Sequence, residues 1–104
     1  MTQPYSVKSV SVIRKAEGLL EREFVFAPGE ATPWHRHSEV TDVTCPAEGR
    51  IWLETRGEAP RELAHPDRAT TLPGAVHRLV NRSDADCRLV LIQHGGKYDF
   101  IVEA

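Results

Sequence analysis

The chain has 104 residues, the size of one domain, so we expect residues 1–104 to form a single domain. Hydrophobic residues make up 40% and charged residues 27%, which is typical of a globular protein and excludes a disordered or fibrous chain. The formal net charge of −2 provides no long-range attraction to phosphate backbones or anionic lipid, so nucleic acid and membranes are not expected partners.

The first half of the chain consists of short runs in which hydrophobic and polar residues alternate, each closed by a turn signal. One run ends at Pro28-Gly29, a segment from Trp34 to Cys45 follows, and a further run ends at Arg56-Gly57. A period of two predicts strands that turn one face toward a core. The residues that share a face are Val10 with Val12, Leu20 with Phe24 and Phe26, and Ile51 with Leu53 and Thr55.

The second half repeats this pattern after a polar stretch at His65-Pro66-Asp67. Leu72-Pro73-Gly74 opens a run, Asn81 to Asp86 predicts a hairpin loop, and Gly95-Gly96 closes the next run. About eight or nine short strands without a helical stripe predict an all-β sandwich or closed barrel. The residues that share a face here are His77 with Leu79 and Asn81, Leu89 with Leu91 and Gln93, and Tyr98 with Phe100 and Val102.

His35 and His37 are two residues apart, so on an extended strand both imidazoles project from one face and can approach one ion. Alone this pair is a weak signal, because a random shuffle of a chain with five histidines contains roughly 0.2 such pairs. Glu39 shares their parity and would face the same ion if the strand ran straight through Ser38.

The residues around the histidine pair make the signal more specific. Gly29 lies six positions before His35, Asp42 five positions after His37, and Gly49 seven positions after Asp42. This pattern resembles the first motif of the cupin superfamily, G(X)5HXH(X)3,4E(X)6G. The chain departs from it in one place, since Asp42 stands where the family usually has glutamate.

A second cluster resembles the other cupin motif, PXG(X)2H(X)3N. His77 follows Gly74 by three positions and Asn81 follows His77 by four, while Pro73 adjoins Gly74 instead of preceding it by two. Pro73-Gly74 can still form the tight turn that presents His77. Together the two motifs span about half of the chain, and the flanking strands fit the rest.

The resemblance implies an all-β fold, a single double-stranded β-helix or jelly-roll barrel, in which His35, His37 and His77 bind a metal ion. By the same motif Asp42 is the carboxylate ligand, and Glu39 and a site with no carboxylate remain the alternatives. One divalent ion per chain is implied, and three imidazoles with at most one carboxylate suit iron, manganese, nickel, copper or zinc. Such a ligand set leaves coordination positions open for water, substrate or dioxygen.

Cupins include metal-dependent oxygenases, decarboxylases and isomerases, so the resemblance implies an enzyme of this range that acts on a small organic acid or phenol. Two alternatives are a non-catalytic module that binds a metal or metabolite as a sensor or carrier, and a metal-free structural barrel. Small cupins pair through strand contacts, so a homodimer is also expected.

The remaining expectations concern location and single residues. No apolar run reaches the roughly 20 residues that span a bilayer, and Met1 to Ser6 lack the features of a signal peptide, so we expect a cytoplasmic protein. Cys45 and Cys87 are expected to be buried free thiols, His65 a solvated loop residue, and His94 a packing residue at the barrel mouth. The aromatic side chains are expected in the core rather than in a pocket wall; they are Phe24, Phe26, Trp34, Trp52, Tyr98 and Phe100.

Overall fold

Alternating hydrophobic and polar residues place most of residues 5–104, the part of the chain that the computed structural model describes, in β-strands. The strands are β1 (Ser9–Ala16), β2 (Leu19–Phe26), β3 (His35–Arg36), β4 (Thr41–Glu48), β5 (Arg50–Thr55), β6 (Arg61–Ala64), β7 (Ala69–Thr71), β8 (His77–Val80), β9 (Cys87–His94) and β10 (Ile101–Val102). The all-β prediction is confirmed. The described residues hold ten strands where about eight or nine were expected, because a strand as short as β7 shows no alternation in the sequence.

Two five-stranded antiparallel sheets enclose the core. One has the order β1-β2-β9-β4-β7 and the other the order β10-β3-β8-β5-β6. Strands far apart in the chain are neighbours, as in the pairs β2 with β9 and β3 with β8, and this is the topology of a double-stranded β-helix. Within residues 5–104 no helix could cross a membrane. The prediction that Met1 to Ser6 form no signal peptide falls largely on residues 1–4, which lie outside the described part of the chain.

The interior changes from apolar to polar along the barrel. On β9, Leu89 and Leu91 point into the apolar core, and the next inward position is the buried Gln93. Gln93 lies opposite Asp42 of β4, which is also buried. On β8 the same change runs from Leu79 to His77, which confirms the predicted shared face. The polar residues of the interior therefore gather at one level of the barrel.

Two side chains, His94 and Cys45, differ from expectation, and two others match it. His94 is exposed at the end of β9, since the strand alternation turns it outward where Gln93 points in. Cys45 is half-buried, because the inward positions of β4 are Asp42 and Thr44. Cys87 is buried and free as predicted, and burial raises the pKa of its thiol to about 11. His65 is exposed, as expected.

Candidate metal centre

Four buried side chains converge at the polar level of the barrel. His35 lies on β3, His77 begins β8 directly opposite it, Asp42 lies on β4, and His37 follows the end of β3. One ligand atom from each residue lies within 4.8 Å of the others. Such a group could hold a single metal ion. Two separated stretches of chain and both sheets therefore contribute to one small cluster.

The three imidazoles share one hydrogen-bonding pattern, in which Nδ1 is bonded to a backbone carbonyl oxygen. The Nδ1 atom of His35 lies 2.8 Å from the carbonyl oxygen of Pro33, and that of His77 lies 2.9 Å from the carbonyl oxygen of Ala75. The Nδ1 atom of His37 lies 2.6 Å from the carbonyl oxygen of Asp99. A carbonyl can only accept, so each Nδ1 carries a proton and donates it. The Nε2 atoms are left free to bind a metal, which is the usual arrangement of metal-ligating histidines.

The centre of the cluster is rich in acceptors and short of donors. Oδ2 of Asp42 lies 3.1 Å from Nε2 of His77 and 3.3 Å from Nε2 of His37. The contact with His37 lacks hydrogen-bond geometry, and both His37 Nε2 and Asp42 Oδ1 are buried without a hydrogen-bond partner among residues 5–104. Buried polar atoms are normally paired. A divalent cation would satisfy these atoms, so the residues present fit a metal ion.

Burial and neighbouring charges set the protonation states of the cluster in the absence of a metal. Burial, reinforced by the neighbouring His77, lowers the pKa of His35 to about 3, so this ring is neutral. Burial also opposes the charged forms of His37 and Asp42, but their mutual attraction outweighs it. The pKa of His37 is therefore raised, and the pKa of Asp42 is held well below its usual range with the further help of His77.

The C-terminal segment holds the histidines in place. Besides accepting a hydrogen bond from His37 through its backbone, Asp99 accepts one from the backbone N–H of Ser38 through its carboxylate, at 2.8 Å. The ring of Phe100 stacks on His35 with a centroid distance of 4.1 Å, and Tyr98 lies 5.5 Å from His37. The rings therefore have few alternative positions.

Glu39 lies outside the cluster. The chain bends at Ser38 and Glu39, so both side chains are exposed, and Oε1 of Glu39 accepts a hydrogen bond from the backbone N–H of Lys97 at 3.1 Å. The parity argument for Glu39 is wrong because it requires a straight strand, and Val40 and Asp42 are the next residues to point inward. Asp42 is the carboxylate that the fold brings to the histidines.

The two motifs are joined by backbone hydrogen bonds. The N–H of Gly29 donates to the carbonyl oxygen of Asn81 at 2.8 Å, and the N–H of Gly74 donates to the carbonyl oxygen of His37 at 2.8 Å. The amide group of Asn81 in turn donates to the carbonyl oxygens of Phe26 and Ala85. The glycines and the asparagine thus tie the histidine-bearing segments together.

The sequence analysis missed Arg22 and assigned Tyr98 to the core. Arg22 is 4% exposed on the inward face of β2, and with Tyr98 it lines a cavity of about 660 Å³. A signal was available, since Arg22 shares its parity with Leu20 and Phe24 and is thus a charged residue at an inward position. The role of Tyr98 had no such signal, because it follows Gly95-Gly96 outside any regular strand.

Comparisons with known proteins agree with this architecture. The chain resembles a conserved protein with a double-stranded β-helix domain from Klebsiella pneumoniae, with a TM-score of 0.80 and 21% identity over 90% of this chain and 83% of that one. KdgF from a Halomonas species matches with a TM-score of 0.77 and 15% identity over 91% and 88% of the two chains. A recombinant oxalate oxidase in complex with glycolate matches with a TM-score of 0.77 and 18% identity, over 90% of this chain but 54% of that one.

At these identities the structures establish the fold, and this chain spans about half of the oxalate oxidase. No curated protein sequence matches the chain. The family described as the cupin domain matches residues 22–93, well over half of the chain. Both motifs, from Gly29 to Asn81, lie within that range, and the strands of the double-stranded β-helix extend beyond it at both ends. The chain belongs to the cupin family.

Proposed function

We propose that the protein is a metal-dependent enzyme that binds one divalent ion per chain through His35, His37, Asp42 and His77. The observation that carries this proposal is the set of four buried ligand atoms that lie within 4.8 Å of one another. Two of these residues, His37 and Asp42, each have a buried polar atom with no hydrogen-bond partner among residues 5–104. A metal-free structural barrel would leave those atoms unsatisfied at an energetic cost. The cluster therefore favours a metal site.

The donor set suits an ion with open coordination positions. Three neutral imidazoles and one carboxylate bind iron, manganese, nickel, copper or zinc. When bound, such an ion acts as a Lewis acid and anchors or activates a small molecule at the positions that the protein leaves open. The protein itself engages each Nδ1 atom with a backbone carbonyl so that the Nε2 atoms can bind the ion, holds the rings against Phe100 and Asp99, and excludes bulk water from the four ligands.

A place for a small organic molecule exists beside the cluster. The cavity of about 660 Å³ is within the range of ligand-binding sites. Its wall includes Gln93, the cross-strand neighbour of Asp42, and Tyr98, which contacts His37. Among the similar structures, an oxalate oxidase is in complex with glycolate, a small organic acid. Oxygenase, decarboxylase and isomerase reactions are the classes that we propose to test.

The experiment uses protein purified without a histidine tag and loaded separately with iron, manganese, nickel, copper or zinc. Oxygen uptake, carbon dioxide release and product formation are measured against a panel of catechols, thiols and keto acids. We expect turnover with at least one metal and its loss in His77→Ala, while the exposed His65→Ala keeps it. Saturable ligand binding without turnover by any loaded form would instead support a non-catalytic binding module.

A further inference from the structure

Arg22 is a buried cation without a carboxylate partner. Its side chain lies inside the barrel on β2 and is 4% exposed, and no acidic residue among residues 5–104 forms an ion pair with it. Arginine is almost never buried unless it is paired, because desolvation of a charge is costly. An unpaired guanidinium in this position therefore requires an explanation.

The neighbours of Arg22 position it without neutralising it. Its Nη2 donates to Oε1 of Gln93 at 2.7 Å, and its guanidinium lies 4.8 Å from the ring centre of Tyr98 and 5.1 Å from that of Phe24. The Nε–H is buried and has no acceptor within the described part of the chain. The guanidinium is thus held by a neutral amide and two aromatic rings, and one fixed donor is still available.

The cavity that Arg22 lines is positively charged. The charged residues in its wall are Arg22, Lys15 and Lys97, and no aspartate or glutamate from the described residues contributes to it. This contrasts with the net charge of −2 for the whole chain. Lys15 and Lys97 are exposed, so they lie toward solvent while Arg22 lies deep. Such an arrangement attracts an anion and places its charge at Arg22.

The cavity and the metal cluster share a wall. Tyr98 contacts Arg22 on one side and His37 on the other, and Gln93 bonds Arg22 while lying opposite Asp42. None of the four candidate ligands lines the cavity, so Tyr98 and Gln93 are the side chains that link an anion on Arg22 to the metal cluster. A guanidinium with a free N–H can bind a planar carboxylate through charge-assisted hydrogen bonds, and the single buried arginine matches the single charge of that group.

We propose that Arg22 binds the carboxylate of a small organic acid, and that this acid is the substrate of the neighbouring metal centre. The second part of this inference, that the acid is the substrate of a metal centre, rests on the proposed function. Gln93 and Tyr98 position the guanidinium, and the apolar part of the wall, with Val40 and Leu20, receives the rest of the molecule. The selection is for charge, so a neutral amide of the same shape is rejected.

The test follows the Nε–H resonance of Arg22 by NMR in the metal-free and in the zinc-loaded protein. Benzoate and glycolate are titrated against benzamide and glycolamide, with inorganic phosphate as a further arm. We expect both carboxylates to shift this resonance and to bind at least tenfold more tightly than their amides. Arg22→Gln and Arg22→Met lack this resonance, so their affinities are measured by isothermal titration calorimetry alongside the unmodified protein. Both should lose the preference for acids at least tenfold, and Arg22→Lys should keep part of it.

The matched control is Arg88→Gln, which removes a positive charge from the outer face of β9, where Arg88 pairs with Glu23 and Glu48. It should bind carboxylates like the unmodified protein. Equal binding of acids and amides, undiminished binding by the folded Arg22 variants, or preferential binding of phosphate would overturn the proposal. Failure of the metal site appears separately, as absence of zinc binding while carboxylates still shift the Arg22 resonance in metal-free protein.

Discussion

The position of the proton on each imidazole decides which of its nitrogen atoms can bind a metal ion. Each of the three histidines donates its Nδ1 proton to a backbone carbonyl, so the residue that bears the carbonyl is as important as the ring. Pro33 and Ala75 lie two residues before the histidines they bond, whereas Asp99 comes from the far end of the chain. Local sequence therefore orients two of the rings, and tertiary packing orients His37.

Changes to the ligands should lower metal affinity. We expect His35→Ala to reduce bound zinc at least tenfold, since loss of even an outer partner of a ligand typically costs about 10- to 100-fold. Asp42→Asn keeps the shape of the side chain and removes its charge, and we expect a weaker effect in the same direction. Equilibrium competition with a chromophoric chelator measures both. Full occupancy in His35→Ala would contradict the assignment of that ring as a ligand.

The metal-free protein should lose stability in mild acid because of His35. Its pKa is about 3 when folded against 6.5 when unfolded, so below pH 6.5 the unfolded chain gains a proton that the folded chain does not. The contribution of His35 to the free energy of unfolding is therefore complete above pH 6.5. It declines toward pH 3, by up to about 1.4 kcal/mol per pH unit.

The pKa values of the other two shifted groups of the cluster, His37 and Asp42, change stability mainly above pH 6.5 and below pH 3.8 respectively. The raised pKa of His37 adds stability that is complete below pH 6.5, and the lowered pKa of Asp42 matters only below its ordinary value of 3.8. Urea unfolding between pH 6.5 and 5 therefore isolates His35. We expect a smaller slope of unfolding free energy against pH in His35→Gln, and equal slopes would contradict the shift.

At the scale of strands, the sequence predicted those that turn one side to the core. The alternation on β2, β8 and β9 matches the buried faces, and on β5 it holds for Ile51 and Leu53 but ends at the buried Glu54. It failed for β1, whose Val10 and Val12 suggested a half-buried strand, because β1 is an edge strand and seven of its eight residues are exposed. Whether a strand lies at an edge depends on partners that are distant in the chain.

The turn between β4 and β5 offers a test of the motif glycines. Gly49 has a φ of 77°, and a Cβ there would lie 2.4 Å from the carbonyl oxygen of Asp86. Gly57 has a similar φ of 88° with nothing within 4 Å, so it controls for backbone strain alone. We expect Gly57→Ala to cost about 1 kcal/mol and Gly49→Ala about 2 kcal/mol more. Urea denaturation measures both, and equal costs would show that the neighbouring loop yields without penalty.

At the scale of the whole molecule, the site was more predictable than the cavity. The two motifs predicted the cluster because hydrogen bonds from Gly29 to Asn81 and from Gly74 to His37 join their segments. The motif spacing favoured Asp42 over Glu39, and the bend after His37 explains why strand parity, which favoured Glu39, failed. The cavity could not be predicted, since β2, β9 and the segment around Tyr98 meet only in the folded barrel.

The exposed edge strand bears on the oligomeric state. We propose that the chain forms a homodimer through β1, where Ile13 is 55% exposed at a strand edge that could pair with a second copy. Ile13→Lys should shift the sedimentation coefficient toward that of a monomer of 11.6 kDa. Leu72→Lys is the control, because Leu72 is 66% exposed but lies outside the strands. A monomer before any substitution would contradict the proposal.

We infer that three imidazoles and one carboxylate hold a metal ion inside the barrel. The most direct test is the metal content, by mass spectrometry, of untagged protein produced with iron, manganese, nickel, copper and zinc supplied, alongside His77→Ala. We predict about one divalent ion per chain in the unmodified protein and a loss of at least tenfold in the variant. A metal content near zero under every supplementation would contradict the account.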